Sequence, residues 1–255
     1  MLAWPGSGAW NGAVSEKLLD GAFDLLLGGV CVGCRRPGRL LCRDCWADLP
    51  TGAAPAWPTP TPAGLVEPWA AGAYDGTVRA MVLGLKERGL LGLAGPLSLL
   101  LAGAVACELP RGSPVVLVPV PSRPATVRAR GHDPTHTITA RAARHLARAG
   151  LAVEVRRLLR LRGGVLDQAG LGAAARAANL AGSMHTHRAA VRRLRQRPLR
   201  MVVCDDVLTT GSTVREAQRA LETSGLEVVR VATVAATPRR RSTEGAQLPA
   251  WLWSS

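Results

Sequence analysis

Residues 201–223 join a short apolar run to two acids, a hydroxyl-rich loop and a helical pattern, and this order strongly constrains the fold. The run at 201–204 is apolar on both faces, and so are residues 115–120, while residues 226–234 form a third, mostly apolar run. Segments with helical periodicity, such as 213–223, separate these runs. Strands that are apolar on both faces and alternate with helices are typical of a parallel sheet. The sequence therefore predicts an α/β fold, with helices on both faces of a parallel sheet.

The segment after the run at 201–204 has the composition of a phosphate site. Asp205 and Asp206 follow the run directly, and two neighbouring carboxylates can accept hydrogen bonds from a pair of vicinal hydroxyls. Five small residues then lead into the predicted helix: Thr209, Thr210, Gly211, Ser212 and Thr213. Amides at a helix N-terminus favour an anion, and a glycine allows close approach of the backbone. A sugar with a 5′-phosphate would satisfy both parts; the alternative is an acidic strand end before an ordinary helix cap.

Four of the six cysteines stand in two C-x-x-C steps: Cys31, Cys34, Cys42 and Cys45. Each step places two thiolates on one tight turn, and two such turns that face each other make a tetrahedral sulfur site. This ligand set favours zinc, with iron as the main competitor, whereas a pair of disulfides is the alternative. Because all four positions would be filled by protein ligands, we expect a structural metal. The other two cysteines, Cys107 and Cys204, lie in apolar runs and are expected to be buried.

Composition divides the chain into four parts. Residues 1–50 contain the cysteine module. Residues 51–65 are rich in proline and alanine, which predicts a stiff, extended linker without regular structure. Residues 66–237 carry the alternating strand and helix patterns of the main domain. Residues 238–255 form a basic tail that we expect to be disordered.

Two observations predict a cytoplasmic protein without a membrane span. Residues 1–15 lack the basic and apolar regions of a signal peptide. Residues 90–106 form the longest uncharged apolar run, but they are too few to span a bilayer and include glycines and a proline. We expect a buried helix there that begins near Pro96.

The formal net charge of +14 is confined to one part of the chain. Residues 123–200 contain seventeen arginines and three acids, which accounts for the whole excess, and Lys86 is one of only two lysines. A ligand with several phosphate groups would explain part of this charge. The rest, chiefly residues 188–200, is either a solvated basic helix or a surface for nucleic acid phosphates. Since no aromatic residue lies between Tyr74 and Trp251, binding of nucleic acid there would be directed at the backbone and sensitive to salt.

The segment VVCDDVLTTGST resembles the motif by which type I phosphoribosyltransferases bind 5-phosphoribosyl-1-pyrophosphate (PRPP). The four cysteines, LKERG at 85–89, VPVPS at 118–122 and RARGHDP at 128–134 are similar to segments of the ComF family. In that family a zinc module precedes a phosphoribosyltransferase-like domain. The resemblance extends from Cys31 to about Val234. It implies a type I phosphoribosyltransferase fold with a small N-terminal zinc-binding module.

The resemblance also implies a role for each part of the site. Asp205 and Asp206 would hold the ribose hydroxyls of PRPP, residues 209–213 would hold its 5′-phosphate, and Mg²⁺ would arrive with the diphosphate. The pyrophosphate loop would contain three residues, with two arginines nearby: Pro121, Ser122, Arg123, Arg128 and Arg130. Further ligand candidates at family positions are Lys86, Gln168, Arg176 and Asn179. Residues 162–183 resemble a flexible hood that closes over the bound sugar.

The expected activity is magnesium-dependent transfer of a phosphoribosyl group from PRPP to a base or amine, and no residue stands out as the general base. The acceptor is open, because the family segment RGFNQ is Arg-Gly-His-Asp-Pro at 130–134 here. The alternative is a non-catalytic accessory protein of competence and DNA uptake, which would bind single-stranded DNA through residues 123–200. A nucleotide-sensing regulator is a third hypothesis. The sequence also leaves open a homo-oligomer and contact with the DNA-uptake machinery.

Overall fold

The computed structural model describes residues 29–107, 114–162, 182–194 and 199–238. The strands in these residues are β1 (Ala54–Pro55), β2 (Pro68–Ala73), β3 (Val115–Pro119), β4 (Val153–Val155), β5 (Leu159–Leu161), β6 (Met184–Thr186), β7 (Arg200–Leu208) and β8 (Val228–Ala236). Six of them form one sheet in the order β1-β2-β8-β7-β3-β4, while β5 and β6 form a separate ribbon. Apart from the antiparallel pair of β1 and β2, the described strands of the sheet run parallel. The predicted parallel sheet is therefore confirmed.

The helices of the described residues are α1 (Arg43–Ala47), α2 (Gly76–Arg88), α3 (Ala94–Ala106), α4 (Pro124–Arg130), α5 (Pro134–Arg148), α6 (Arg188–Leu194) and α7 (Ser212–Glu222). The apolar sides of α2, α3 and α5 pack on one face of the sheet, whereas α6 and α7 pack on the other. The helical period explains this: Ile138, Ala142 and Leu146 recur along one side of α5 and are buried. The two-sided cover that the sequence predicts is thus present.

Strand β7 lies in the middle of the sheet and continues beyond the apolar run at 201–204. The sequence predicts that the acids follow the strand, but the structure places them within it. The reason is the neighbouring β8, which pairs with β7 at Asp205↔Thr233 and at Val207↔Ala235. Backbone pairing, rather than side-chain hydrophobicity, therefore determines where this strand ends.

Part of the proline-rich segment at 51–65 forms regular structure, which we did not expect. Ala54 and Pro55 pair with Ala70 and Trp69 as the edge strand β1. A proline is tolerated there because an edge strand has one side without ladder partners. The segment therefore lies along the sheet rather than away from it.

The cysteine module packs against the main domain. Val32, Leu40, Leu41 and Leu49 are partly buried against the core on the face that carries α2 and α3. A Cβ added to Gly33 would lie 2.8 Å from Sγ of Cys45 and 2.8 Å from Oγ1 of Thr77 in α2. A glycine at position 33 thus permits close contact between the module and the first turn of α2.

The apolar run at 90–106 forms a short 3₁₀ turn followed by the buried helix α3, which begins at Ala94, two residues before Pro96. None of the helices in the described residues is both long and apolar enough to cross a membrane. Cys204 is buried, as predicted, whereas Cys107 is only half-buried and packs at the edge of the core.

Candidate functional site

The two acids lie at the carboxyl end of β7. Asp206 is buried, with 4% of its surface exposed, and Asp205 is half-buried. The carboxyl end of the adjacent parallel strand β3 reaches the same edge, and residues 120–123 follow it. Ligands of open α/β sheets bind beyond the carboxyl ends of the strands. The fold therefore brings the acids and the loop after β3 together where a ligand is expected.

Lys86 supplies the charge that balances Asp206. Its Nζ lies 2.6 Å from Oδ2 of Asp206, and the lysine reaches this position from the last turn of α2. The same oxygen is 3.4 Å from Oγ1 of Thr135, which donates to it from the first turn of α5. Helices from one face of the sheet thus hold Asp206 through an ion pair and a hydroxyl.

The surroundings of Asp205 and Lys86 shift the pKa of each of these groups. Burial and the adjacent charge of Asp206 raise the pKa of Asp205 to about 7, although Lys86 acts against this shift. Burial tends to lower the pKa of Lys86, but the charge of Asp206 and the contact with it outweigh burial, so the pKa of the lysine is raised. The lysine is therefore a cation at neutral pH, whereas Asp205 is close to the midpoint of its titration.

The hydroxyl-rich loop after β7 leads directly into α7. Gly211 has φ 75°, a left-handed conformation that favours glycine, and it precedes the first residue of the helix. Oγ of Ser212 lies 3.1 Å from Oγ1 of Thr210. A Cβ added to Gly211 would lie 2.9 Å from Cγ of Pro58. The proline-rich segment therefore packs directly against the predicted phosphate loop.

Asp133 holds the loop after β3 in position. Its Oδ1 accepts hydrogen bonds from Oγ of Ser122 (3.0 Å) and from the backbone N–H of His136 (3.2 Å), so it caps α5 as well. Its Oδ2 lies 3.2 Å from Arg157. Asp133, which stands where the family segment RGFNQ has asparagine, thus has a clear structural role here.

Two further contacts attach the end of α4 and the residues after it to the last turn of α2. Arg130 forms an ion pair with Glu87 at 2.7 Å. The ring nitrogens of His132 lie 3.1 Å from the carbonyl oxygen of Arg130 and 3.2 Å from that of Leu85. His132 thus connects two segments that reach the site.

A cavity of about 410 Å³ joins these groups, and we call it the charged cavity. Predicted site residues that line it are Lys86, Pro121, Ser122, Arg123, Arg130, Asp205, Asp206, Thr209 and Thr213. Arg128, which is exposed, stands outside this lining, and so do the loop residues Thr210, Gly211 and Ser212. Gln168, Arg176 and Asn179 lie outside the described residues. The sequence prediction missed Tyr74 and Thr135, which also line the cavity. Their positions could have pointed to the site, because Tyr74 directly follows β2 and Thr135 lies in the first turn of α5.

The four cysteines of the module form a cluster that can hold a metal ion. Their sulfur atoms all lie within 4.8 Å of one another, and Sγ of Cys34 is 3.6 Å from Sγ of Cys42. Two ligands of a tetrahedral zinc ion with bonds of about 2.3 Å are about 3.8 Å apart. The backbone N–H of Cys42 points at the sulfur of Cys31, at 3.4 Å. All four are free thiols rather than disulfides, so the donor set and its spacing fit zinc.

The thiols differ in their affinity for protons. Burial tends to raise the pKa of Cys31, but backbone N–H groups of the knuckle outweigh it and lower this pKa to about 6. Burial and the neighbouring thiols raise the pKa of Cys45 to about 12. Four thiols this close do not all ionise without a cation among them, and a bound metal would replace the protons.

Comparison with known families supports part of this picture. Residues 185–247 match the model of the phosphoribosyl transferase domain. The match spans β7, both acids, the hydroxyl-rich loop and α7, but it covers about a quarter of the chain and leaves out the cysteine module. No match was found among curated proteins. Together with the parallel sheet and its two helical layers, the family match confirms the predicted fold class.

Proposed function

We propose that the chain is a phosphoribosyltransferase of the ComF type, which binds PRPP and transfers its phosphoribosyl group to an acceptor in a magnesium-dependent reaction. One observation carries the proposal: two acids, an arginine-bearing loop and the loop at the start of α7 meet at the charged cavity. Each of these parts suits one group of PRPP, namely the ribose hydroxyls, the diphosphate and the 5′-phosphate. The family match over residues 185–247 supports the same conclusion.

In this proposal Asp205 and Asp206 accept hydrogen bonds from the two ribose hydroxyls. An ionised carboxylate is a strong acceptor, and Lys86 pairs with the buried carboxylate of Asp206. Asp205 must lose its proton to act in the same way, because its pKa is raised to about 7. The N-terminus of α7 and the hydroxyls at 209–213 then hold the 5′-phosphate.

The diphosphate is placed against Ser122, Arg123 and Arg130, all of which line the charged cavity. Arginine donors match phosphate oxygens in pairs. Mg²⁺ would supply charge neutralisation for the diphosphate, and the carboxylates of Asp205 and Asp206, which line the cavity, are oxygen ligands of the kind that it prefers. As the diphosphate leaves, positive charge develops on the ribose. The fixed carboxylates of Asp205 and Asp206 stabilise that charge without reorganisation.

We further propose that the cysteine cluster holds a structural zinc ion. The module has few buried apolar residues of its own, and metal ligation would supply much of the free energy that orders it. Metal analysis of the purified chain is expected to give one zinc per chain. Iron in its place, or well under one zinc, would contradict this assignment.

Calorimetric titration with PRPP and Mg²⁺ tests the proposed function. The wild-type chain is expected to bind one PRPP, and Asp206→Asn is expected to lower the affinity by about 10- to 100-fold, because a hydrogen bond to a charged group contributes about 1.5–3 kcal/mol. Asp48→Asn, at an exposed position in the cysteine module, is the matched control and should bind like wild type. No binding by the wild-type chain, or equal binding by all three proteins, would disprove the proposal.

The DNA-binding alternative receives no comparable support from the described residues. The arginine-rich window is divided between the two faces of the sheet, since Arg144 and Arg148 are exposed on α5 and Arg192 is exposed on α6. Binding of single-stranded DNA through residues 123–200 therefore stays a prediction of the sequence.

A further inference from the structure

A second and larger cavity opens at the same edge of the sheet. Its volume is about 810 Å³. It lies beside the carboxyl ends of β2, β8 and β7. Residues 52–58, the strand residues 70–73 and residues 236–238 form most of its lining. We call it the uncharged cavity, because none of the described residues that line it carries a charged side chain.

The wall of the uncharged cavity is apolar and rich in proline. Alanines and one glycine of β2 form one side of it, and three prolines contribute to the other side: Pro50, Pro55 and Pro58. A Cβ on Gly72 would lie 2.7 Å from Cγ of Pro50, so the prolines approach the strand closely. An ionised group without a counter-charge is strongly disfavoured in such surroundings. The cavity is therefore suited to an uncharged, apolar occupant.

The chain itself leaves the sheet at the lining of this cavity. Ala236 is the last residue of β8, and Ala236, Thr237 and Pro238 all line the cavity. The backbone N–H of Thr237 donates to the carbonyl oxygen of Leu208 at 2.9 Å, and its hydroxyl lies 3.4 Å from the same oxygen. These contacts fix the direction in which the chain leaves β8. Residues 239–255 therefore start beside the uncharged cavity.

Residues 248–253 have a composition that matches this wall. Their sequence is Leu-Pro-Ala-Trp-Leu-Trp, without a charged side chain. Segments that stay disordered contain few aromatic residues, so two tryptophans this close together point to a binding role. Aromatic side chains pack on proline-rich segments, and a buried tryptophan removes about 150–250 Å² of surface from water.

The length of the chain allows this segment to reach the cavity. Pro238 and Leu248 are ten positions apart, and an extended chain spans at most about 3.3–3.6 Å per residue. The connection is therefore long enough for residues 248–253 to fold back onto a cavity that Pro238 itself lines. The arginines at 239–241 belong to this connection, and as charged groups they favour solvent over the uncharged wall.

We propose that the uncharged cavity is a docking surface for residues 248–253 of the same chain. Trp251 and Trp253 supply the apolar surface that packs against the prolines, and residues 239–247 form the connection. The inference goes beyond the proposed function and does not depend on PRPP binding. Because Thr209 lines both cavities, the docked segment lies beside the loop at 209–213.

A synthetic peptide of residues 246–255 tests the docking in trans, with binding measured by calorimetry. In the wild-type chain the tethered segment competes with the peptide at an effective concentration of about 1 mM. Trp251→Ser/Trp253→Ser removes this competitor. We therefore expect the double variant to bind one peptide about tenfold more tightly than the wild-type chain does, which corresponds to a peptide Kd of about 0.1 mM. Failure of the peptide to bind either protein, or equal affinity for both, would overturn the proposal.

A variant that fills the cavity locates the docking surface. Ala54 lines the uncharged cavity and is exposed, so Ala54→Phe places a ring in it without disturbing the core. Added to the double variant, Ala54→Phe is expected to weaken peptide binding about tenfold or more. Ala147→Phe, at an exposed position on α5, is the matched control and should leave peptide binding unchanged. Equal peptide affinity in the two proteins, with equal thermal midpoints, would contradict this placement.

Sedimentation separates docking within one chain from docking on a second copy. The tether favours the chain's own segment, so we expect the wild-type chain and the double variant to have the same mass between about 1 and 100 µM. A wild-type dimer that dissociates in Trp251→Ser/Trp253→Ser would show that the segment docks on a second copy, and it would overturn docking within one chain.

Discussion

The charged and uncharged cavities share one edge of the sheet and one residue, Thr209, but the side chains that line them differ in charge. Side chains that carry charge line the first: Lys86, Arg123, Arg130, Asp205 and Asp206. Small residues and prolines line most of the second. This difference matches the two proposed occupants, a highly charged phosphosugar and an uncharged segment of the same chain.

The contrast also shows which contacts support each cavity. The charged cavity is held by specific pairs, such as Lys86 with Asp206 and Ser122 with Asp133. The uncharged cavity depends on how closely the proline-rich segment packs against the sheet and against Gly211. A single substitution should therefore impair the first cavity through charge and the second through backbone position.

The largest effect is expected at Gly211, where the two cavities meet. Gly211→Ala puts a side chain on a residue with φ 75°, and its Cβ would lie 2.9 Å from Pro58. We expect the free energy of unfolding to fall by about 1–3 kcal/mol, together with loss of PRPP binding. Denaturant unfolding and calorimetry measure these changes.

Gly95→Ala is the control for this substitution. Gly95 lies in α3 with no atom within 4 Å of an added Cβ, so alanine should stabilise the helix by up to about 1 kcal/mol. If both glycine variants change stability in the same direction, the conformation of Gly211 does not constrain the loop as described.

An effect of similar size on stability, but restricted to the charged cavity, is expected at Lys86. Lys86→Met removes the partner of a buried carboxylate, and since the lysine is partly exposed we expect a loss of about 1–3 kcal/mol of unfolding free energy. The pKa of Asp205 should rise further, because Lys86 now acts to lower it. Arg79→Met, at an exposed position on the same helix, should have little effect. A Lys86→Met protein as stable as this control would show that the ion pair does not hold Asp206.

The smallest effect is the pH dependence of PRPP binding. Because the pKa of Asp205 is raised to about 7, PRPP affinity should increase with pH up to that value, by at most about tenfold per unit. Asp205→Asn removes this titration. Calorimetry at about one pH unit on either side of the pKa of Asp205, roughly between pH 6 and pH 8, should therefore show a weaker pH dependence of PRPP affinity in the variant. An equal dependence in both proteins would assign it to PRPP itself.

Stability of the free chain should change in the opposite direction. Asp205 has a raised pKa in the folded state, against an ordinary value of about 3.9 in the unfolded state. Between these values the unfolded chain has released a proton that the folded chain retains, so the free energy of unfolding falls as pH rises and levels off above about 7. The uncharged cavity has no ionisable side chain among its described lining residues, and Ala54→Phe should retain both pH dependences.

The sequence singled out many residues of the charged cavity, although their roles in PRPP binding stay predictions. Its residues are chemically distinctive, and the order of strand, acids, loop and helix leaves few arrangements for Asp205, Asp206 and the loop at 209–213. The apolar runs likewise predicted the parallel sheet and its two helical layers. The order of strand, acids, loop and helix lies within one short stretch of sequence. The parallel sheet and its helical layers follow from a simple alternation of apolar runs and helical patterns.

The uncharged side could not be predicted in this way. Residues 51–65 have the composition of a linker, and the packing of Pro58 on Gly211 joins positions about 150 residues apart. The roles of Asp133 and His132 also depend on tertiary neighbours, Ser122 and Leu85. The sequence prediction also made β7 too short. The pairing with β8 extends this strand through the two acids, and that pairing depends on the tertiary fold and not on local polarity.

Crystallographic analysis of the chain with PRPP and Mg²⁺ tests the central claim most directly. We predict density for the 5′-phosphate at residues 209–213, for the ribose hydroxyls within hydrogen-bond distance of Asp205 and Asp206, and for the diphosphate beside Ser122 and Arg123. The uncharged cavity should be free of PRPP atoms. PRPP bound in the uncharged cavity, or at a surface away from the two acids, would contradict the account.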